Sequence, residues 1–258
     1  MDDAPIPYMQ RIREYYLALG DGAPYDWVHY VDVPLPGPRL PHDMAFTRNY
    51  VILNDFPLFW EPEPLERNLH VARFHRDMPS RFAVLPRRGP STAIQWFEAD
   101  PTYVLHFVNA YEDGDEIVLD GFFQGDPEPA DNGSGSKWQR AFRFLALDRM
   151  QARLHRWRLN LTTGAVTEEP LSESISELGM INAAHGGEPY RYAYAATGKP
   201  GWFLFDGLIR HDVQTGTEER ISFGEGVYGS ETAMAPRVGS RAEDDERHAQ
   251  TDVQKLTD

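Results

Sequence analysis

The sequence predicts an all-β protein built from antiparallel meander sheets. Short runs rich in β-branched and aromatic residues recur at nearly regular spacing, and Asp-Gly or Thr-Gly turn residues separate them. This pattern is typical of a sandwich, a barrel or a propeller. Residues 156–161 followed by Thr-Thr-Gly are echoed by residues 208–212 followed by Gln-Thr-Gly. A repeated strand–turn unit of this kind favours the propeller.

The first part of the chain leads to a histidine. Residues 8–19 fit a short amphipathic helix or a strand and turn equally well. Residues 27–33 alternate like a strand and end in the proline-rich stretch 34–38, a rigid connection. His42 then lies at the mouth of a β-rich run that ends at Trp60. The ring of His42 can therefore point from a strand end into a pocket.

The rest of the chain reads as one strand-rich domain followed by a tail. Residues 126–136 have linker composition and form either a solvated loop within one domain or a domain boundary. After residue 240 the aromatic and β-branched residues disappear. We therefore expect one domain over residues 1–240 and a polar, disordered tail over residues 241–258. The strands predicted after the His42 run lie at residues 69–75, 81–85, 93–98, 103–110, 116–123, 142–147, 154–161, 190–195, 202–212 and 218–223.

Composition excludes several functional classes. The formal charge of -15 and a pI near 5.0 argue against nucleic-acid binding, because a phosphate backbone would be repelled. The chain has no cysteine, so any metal must be held by His, Asp or Glu, which suit iron, manganese or zinc. The N-terminal residues lack the pattern of a secretory signal, and no run approaches about 18 apolar residues. We expect a cytoplasmic location.

Two of the nine histidines stand out. His42 follows the proline-rich connection, and His106 interrupts an apolar run predicted to be a strand. On periodicity alone, each is either a core histidine bonded to a backbone carbonyl or a metal ligand. For the others a solvated, hydrogen-bonded or loop position is expected; they are His29, His70, His75, His155, His185, His211 and His248.

Two glutamates could support a histidine ligand. Glu177 and Glu231 lie in segments of low charge that bound predicted strands. A carboxylate can accept the second N–H of a metal-bound imidazole and fix its orientation. Each could equally cap a turn, so spacing alone leaves both roles open.

Several segments, taken in order, resemble the carotenoid oxygenase family. That family includes carotenoid and apocarotenoid cleavage enzymes, lignostilbene dioxygenases and the retinal pigment epithelium isomerase. The resemblance extends over roughly residues 25–240. The segments that carry it are residues 36–47 (PGPRLPHDMAFT), 97–101 (FEADP), 106–112 (HFVNAYE), the stretch around Glu177 with 190–194 (YRYAY), 199–202 (KPGW) and 229–231 (GSE).

The resemblance implies part of a seven-bladed β-propeller with a non-haem Fe²⁺ on its axis. In the family four histidines hold the iron, and glutamates support their rings. His42 and His106 match the second and third of these histidines, and Glu177 and Glu231 match two of the glutamates. The implied partners are O₂ and a hydrophobic polyene or stilbene. The full-length enzyme could also contact a membrane peripherally, and no partner protein is evident.

The family's first and fourth histidines have no match in this sequence. The first would precede the segment resembling residues 3–9, and the fourth would follow residues 243–245. We therefore expect a fragment of a longer enzyme, with a polar end such as a frameshift or truncation would produce. Three functions follow: a dioxygenase that cleaves a C=C double bond of a carotenoid or apocarotenoid to carbonyl products, a stilbene-cleaving dioxygenase, or a non-catalytic propeller fragment that serves as a binding module.

Overall fold

The structure, a computed structural model, describes residues 29–68, 71–127, 151–198, 204–236 and 242–244, together with strands Glu246–Gln250 and Gln254–Lys255. The predicted elements at residues 8–19 and 142–147 and most of the 126–136 stretch lie outside these ranges. The chain divides into two compact units, Met1–Val33 and Pro34–Asp258. One domain over residues 1–240 stays a prediction. The strand predicted at residues 27–33 is wrong over residues 29–33. An alternating run needs a partner strand to be stable, and none pairs with these described residues.

The first blade of the fold is a four-stranded antiparallel sheet in the order β1-β2-β5-β6. β1 and β2 form a tight hairpin, and β3 pairs with β4 in a separate hairpin on the connection from β2 to β5. A short 3₁₀ turn at Ser91–Ala93 precedes β6. The elements of this region are β1 (Ala45–Phe46), β2 (Tyr50–Asp55), β3 (Leu58–Trp60), α1 (Pro62–Glu66), β4 (Ala72–Phe74), β5 (Ser80–Pro86) and β6 (Gln95–Ala99).

The next strands form one continuous antiparallel sheet in the order β13-β12-β11-β10-β9-β8-β7. A 3₁₀ turn at Ala183–His185 lies between β10 and β11. Each strand of this sheet pairs with its neighbour in sequence, as in a meander. These strands are β7 (Phe107–Asp113), β8 (Glu116–Phe123), β9 (Arg153–Asn160), β10 (Val166–Met180), β11 (Tyr192–Gly198), β12 (Phe205–Asp212) and β13 (Thr217–Ser222).

Strand β10 belongs to two blades. Its first part, Val166 to Pro170, pairs with β9, and its last part, Ser176 to Met180, pairs with β11. A register shift between Pro170 and Ile175 separates the two paired stretches, and a second shift lies between Glu177 and Met180 within the last part. The second blade is therefore β7–β9 with the first part of β10, and the third blade is the last part of β10 with β11–β13.

Two short strand pairs follow. β14 (Val227–Tyr228) pairs with β17 (Gln254–Lys255), and β15 (Thr232–Pro236) pairs with β16 (Glu246–Gln250). The tail over residues 241–258, expected to be disordered, thus contains two strands. Composition gave no sign of them because backbone pairing, unlike core formation, does not require apolar residues.

The repeated strand–turn unit is confirmed. Gly164 (φ 74°) and Gly216 (φ 70°) take the left-handed conformation that glycine tolerates best. In each turn a side-chain oxygen from the end of the preceding strand, on Asn160 or Asp212, accepts two backbone N–H groups. The two turns are therefore built alike.

The blades pack through two apolar clusters. One spans the first two blades and includes Phe82, Phe97 and Trp157. The other lies under the second and third blades and includes Phe122 and Ile209. The predicted all-β fold with antiparallel meander blades is confirmed. In the described part of the chain, no helix has the length and apolar character needed to span a membrane.

Candidate metal centre

The structure brings His42 and His106 together. Their ring centroids lie 5.0 Å apart with the ring planes nearly perpendicular, at 88°. His42 precedes β1 in the first blade, and His106 immediately precedes β7 in the second. Two residues 64 positions apart therefore meet because the first strands of neighbouring blades begin side by side.

The segment that leads to His42 is fixed by contacts of Arg39 and Leu40. Arg39 Nε contacts Asp55 Oδ1 at 2.5 Å, and the Arg39 guanidinium lies 3.9 Å from the Phe59 ring centroid. The Tyr103 hydroxyl donates to the Leu40 carbonyl at 2.9 Å. Burial raises the pKa of Tyr103 to about 12, so this hydroxyl keeps its proton at neutral pH. The connection that presents His42 is thus anchored to the blade core.

The orientation of the His42 ring follows from one hydrogen bond. Its Nδ1 lies 3.0 Å from the carbonyl oxygen of Leu105. A carbonyl can only accept, so Nδ1 carries the proton and Nε2 holds the free lone pair of the neutral ring. His42 is exposed, so Nε2 is open to a ligand.

His106 is held by Glu177. The Nδ1 of His106 donates to Glu177 Oε2 at 2.8 Å, and the backbone N–H of Leu178 donates to the same oxygen at 2.8 Å. The bond to Glu177 raises the pKa of His106, whereas burial opposes the shift and the charges of Asp43 and Glu231 add to it. Glu177 is 4% exposed, so the carboxylate is shielded from water.

Leu178 has φ 56°, in the left-handed region that a branched side chain rarely adopts. This conformation turns the Leu178 N–H back onto the Glu177 carboxylate. The strained residue directly follows Glu177, which orients His106, and strain of this kind is typical of functional sites.

Glu231 occupies a more open position. It is an exposed residue directly before β15, and its charge acts on His106 through space. The two sequence-predicted glutamates therefore differ: Glu177 hydrogen-bonds a ring, and Glu231 acts on the same ring as a nearby charge. A hydrogen bond donated by a histidine ring to Glu231 stays a prediction.

The predicted strand at residues 103–110 begins later than expected. β7 starts at Phe107, so His106 lies before the strand rather than within it. The backbone groups that flank His106 bond to the first blade: the Leu105 carbonyl accepts from His42, and the Phe107 N–H donates to Asp43 Oδ2 at 2.9 Å. Side chains of the first blade thus make hydrogen bonds at the start of β7 that a neighbouring strand would otherwise make.

His42 and His106 could supply two ligands to one metal ion. Both rings use Nδ1 for a protein hydrogen bond and leave Nε2 available, which is the arrangement found in metal-bound histidines. Imidazole nitrogens suit iron, zinc and copper. One oxygen of the buried Glu177 carboxylate, Oε1, has no hydrogen-bond partner in the described structure. Among the described residues, no group of three or more His, Cys, Asp or Glu side chains could hold a metal, so this pair would be part of a ligand set.

Four other described histidines lie near polar groups of their own. His155 is hydrogen-bonded to Glu168 and His211 to Ser176, which confirms the solvated or hydrogen-bonded role expected for these two residues. His75 Nε2 lies near Glu61 but is buried without a hydrogen-bond partner among the described residues. Burial lowers the pKa of His211, while Glu218 opposes that shift. The four contacts join His75 to Glu61 (3.3 Å), His155 to Glu168 (3.2 Å), His211 to Glu218 (3.3 Å) and His185 to the carbonyl of Pro189 (3.2 Å).

Sequence reasoning missed the turn that supports the His42 strand. Glu112 accepts from Thr47 Oγ1 at 2.6 Å and from the backbone and side-chain nitrogens of Asn49, each at 2.8 Å. These bonds join the β1–β2 turn to the end of β7. The Thr-x-Asn spacing after β1 is a turn signal, but its partner lies more than 60 residues further along the chain.

An open cavity of about 430 Å³ lies beside this seam between the first two blades. Its lining includes Met44, Phe46, Arg87 and Val108. Exposure alternates along residues 42–47, so that His42, Met44 and Phe46 are exposed while the residues between them are more buried. This alternation places the three exposed side chains on one face of the run.

Comparisons with known proteins identify one family and several relatives that this chain resembles. The family described as "Retinal pigment epithelial membrane protein" matches residues 9–246. A carotenoid 9,10(9',10')-cleavage dioxygenase 1 of Pisum sativum is 30% identical over 231 residues, covering 84% of this chain and 41% of that protein. An apocarotenoid-15,15'-oxygenase of Synechocystis is 29% identical over 209 residues, covering 80% and 40%. The chain thus spans about two fifths of the length of these relatives.

The fold of this chain is also similar to that of solved structures. A crystal structure of a cobalt-substituted Synechocystis apocarotenoid oxygenase matches with a TM-score of 0.71 and 26% identity. The match covers 82% of this chain and 44% of that one. The three described blades therefore correspond to part of a seven-bladed β-propeller, as the resemblance implied.

Proposed function

This chain belongs to the family of the retinal pigment epithelial membrane protein, and we propose from that membership that it carries part of the metal centre of a dioxygenase that cleaves carotenoids or apocarotenoids. The reaction breaks one C=C double bond with O₂ and places one oxygen atom on each new carbonyl group. One observation supports the proposal: the centroids of the His42 and His106 rings lie 5.0 Å apart, and each ring uses Nδ1 for a hydrogen bond within the protein, with Glu177 as the partner of His106.

The proposed metal is Fe²⁺, bound by the Nε2 atoms of His42 and His106 and by further ligands. Bound iron would supply the redox chemistry that lets O₂ react with a closed-shell alkene. The protein's own part is orientation: the Leu105 carbonyl and the Glu177 carboxylate each hold an Nδ1 proton and so keep the two rings in the tautomer that offers Nε2.

The proposed substrate is a long apolar molecule. Met44 and Phe46 are 48% and 46% exposed, and they share a face with His42. Apolar side chains beside a metal centre can bind a polyene and exclude water from the reacting bond. The relatives named for carotenoid and apocarotenoid cleavage support the polyene over a stilbene. Cytoplasmic location and peripheral membrane contact remain predictions from sequence.

A chimera tests this function. Residues 34–236 of this chain would replace the matching residues of the Synechocystis apocarotenoid-15,15'-oxygenase. We expect the chimera to retain iron and to cleave an apocarotenal, and we expect H42A or H106A to abolish both. H155A is the matched control, because His155 is bonded to Glu168 and should leave iron content unchanged.

The outcomes separate the three functions. A folded chimera that holds stoichiometric iron and cleaves a stilbene but no apocarotenal would assign stilbene cleavage. A folded chimera whose iron content does not depend on His42 or His106 would refute the metal centre and leave the binding-module function.

A further inference from the structure

The backbone around His106 is held on both sides by two consecutive residues of the first blade. His42 Nδ1 donates to the carbonyl of Leu105, the residue before His106. Asp43 Oδ2 accepts the N–H of Phe107, the residue after His106, at 2.9 Å. The carbonyl of His106 itself accepts from the N–H of Phe122 at 3.3 Å. The position of His106 is therefore set by residues 42 and 43 as well as by its own blade.

Asp43 is itself anchored within the first blade. Its Oδ1 accepts the N–H of Met44 at 2.7 Å, and its backbone carbonyl accepts from Asn54 Nδ2 at 2.7 Å. Asn54 lies on β2 and is 3% exposed, so this anchor is part of the packed sheet. The carboxylate thus uses one oxygen for the segment that carries His42 and the other for the residue that follows His106.

Phe107, the partner in the second blade, is also confined. It is 8% exposed and packs against Phe56 and Phe82. Next to it, Gly121 leaves no room for a larger residue, because a Cβ there would lie 2.8 Å from the Phe107 ring. A bond between Asp43 and the Phe107 N–H therefore joins two rigid parts, so it can fix their separation.

We propose that Asp43 is a positioning residue that sets the separation of the two segments that carry His42 and His106, so that the Nε2 atoms of both rings can face one metal ion. This inference rests on the proposed metal centre. A carboxylate suits the role because it accepts two N–H groups at once, and hydrogen bonds to a charged acceptor are the stronger ones. Asparagine would offer one acceptor oxygen and would turn its NH₂ group toward the other N–H.

Cu²⁺ tests the inference without any enzymatic assay. Imidazole binds Cu²⁺ well, and pulsed EPR counts the imidazoles on one copper ion. In the 258-residue chain we expect two imidazoles per copper, falling to one in H42A and in H106A. In D43A we expect one imidazole and an affinity lower by about 10–100-fold, the usual effect of losing a residue that supports a ligand.

Two further variants make the test decisive. D43N keeps the shape of the side chain and one acceptor, so we expect an intermediate affinity and a native thermal unfolding profile. D115A removes an exposed carboxylate from the β7–β8 turn and should behave like the unmodified chain. Two imidazoles and unchanged affinity in both Asp43 variants would overturn the role of Asp43. If the unmodified chain itself showed fewer than two imidazoles per copper ion, the result would instead refute the metal-binding pair of His42 and His106.

Discussion

Burial, charge and backbone strain occur together at Glu177 and its neighbour Leu178. Its Oε2 accepts two N–H groups, while its Oε1 is buried with no partner among the described residues. An unsatisfied buried carboxylate oxygen costs free energy, as does the left-handed conformation of Leu178. The fold retains both features beside His106, which indicates a functional role for this carboxylate.

We expect Glu177→Gln in the chimera to weaken metal retention by about 10–100-fold. Glutamine keeps the shape but offers a weaker, neutral acceptor, and it can turn its NH₂ group toward His106 Nδ1. The metal-to-protein ratio after dialysis would be measured, with Glu169→Gln as the control because Glu169 is an exposed residue of the same strand. Equal ratios in all three proteins would make Glu177 a structural cap.

At this scale the sequence predicted some site residues and missed others. Periodicity left His42 and His106 open between core and ligand roles, and it was the family resemblance that singled them out together with Glu177. Asp43 and Glu112 carried no signal, because their partners lie more than 60 residues away along the chain. A polar residue beside a turn looks the same whether it bonds to water or to a distant strand.

Strand β10 shows the limit of prediction for a single element. It spans 15 residues, yet no strand was predicted there. Its first part, with Glu168, Glu169 and Pro170, is polar and largely exposed, so it lacks the apolar alternation on which prediction depends. The turns at Gly164 and Gly216 were predictable because their chemistry is entirely local.

Gly207→Ala should destabilise the pairing of β12 with β13. A Cβ at Gly207 would lie 2.4 Å from the Ile221 carbonyl oxygen and 3.3 Å from a methyl group of Thr197, so the two strands would have to separate. We expect a loss of about 1–3 kcal/mol in the free energy of unfolding, the usual cost of overpacking. Urea unfolding measures it, and Gly125→Ala, whose nearest contact is 3.8 Å, is the control. Equal stabilities of the two variants would contradict the predicted clash.

The β1–β2 turn should depend on pH through Glu112. Burial alone would raise the pKa of Glu112, but hydrogen bonds from Thr47 and Asn49 outweigh it, so the net effect lowers the pKa. A lowered pKa in the folded state contributes stability above the unfolded-state pKa, about 4.3, and this stability is lost as the pH falls through the folded-state pKa.

We therefore expect the stability difference between the unmodified chain and Glu112→Gln to be largest at neutral pH. It should shrink as the pH falls from about 5 to about 3.5. Denaturant unfolding at both ends of this range measures the difference. A difference that does not change with pH would show that the charge of Glu112 does not stabilise the turn.

For the whole molecule, we expect the purified 258-residue chain to be inactive as a dioxygenase. Metal affinity depends on several ligands held together at once, and the described residues supply two matched histidines. Iron content and cleavage of an apocarotenal by the purified chain test this. Stoichiometric iron with cleavage would refute it and would direct attention to His185 and His211, which are bonded elsewhere in this structure.

The fold class was readable from sequence, whereas the number of blades was not. Turn chemistry and strand spacing repeat locally and so predict antiparallel blades. The described residues form three such blades, and the figure of seven comes from the family and its solved structures. The closure of a propeller depends on contacts between its first and last blades, and local patterns carry no information about these contacts.

The shared strand β10 has a consequence for how the protein opens. Because one continuous strand supplies an edge to the second blade and the start of the third, neither blade can detach without freeing half of a strand that the other needs. The two blades should therefore behave as one cooperative unit in native-state hydrogen exchange. Amides of β8 and β12, on opposite sides of β10, should exchange with the same opening free energy and the same denaturant dependence, whereas those of β2 in the separately hydrogen-bonded first blade are free to differ.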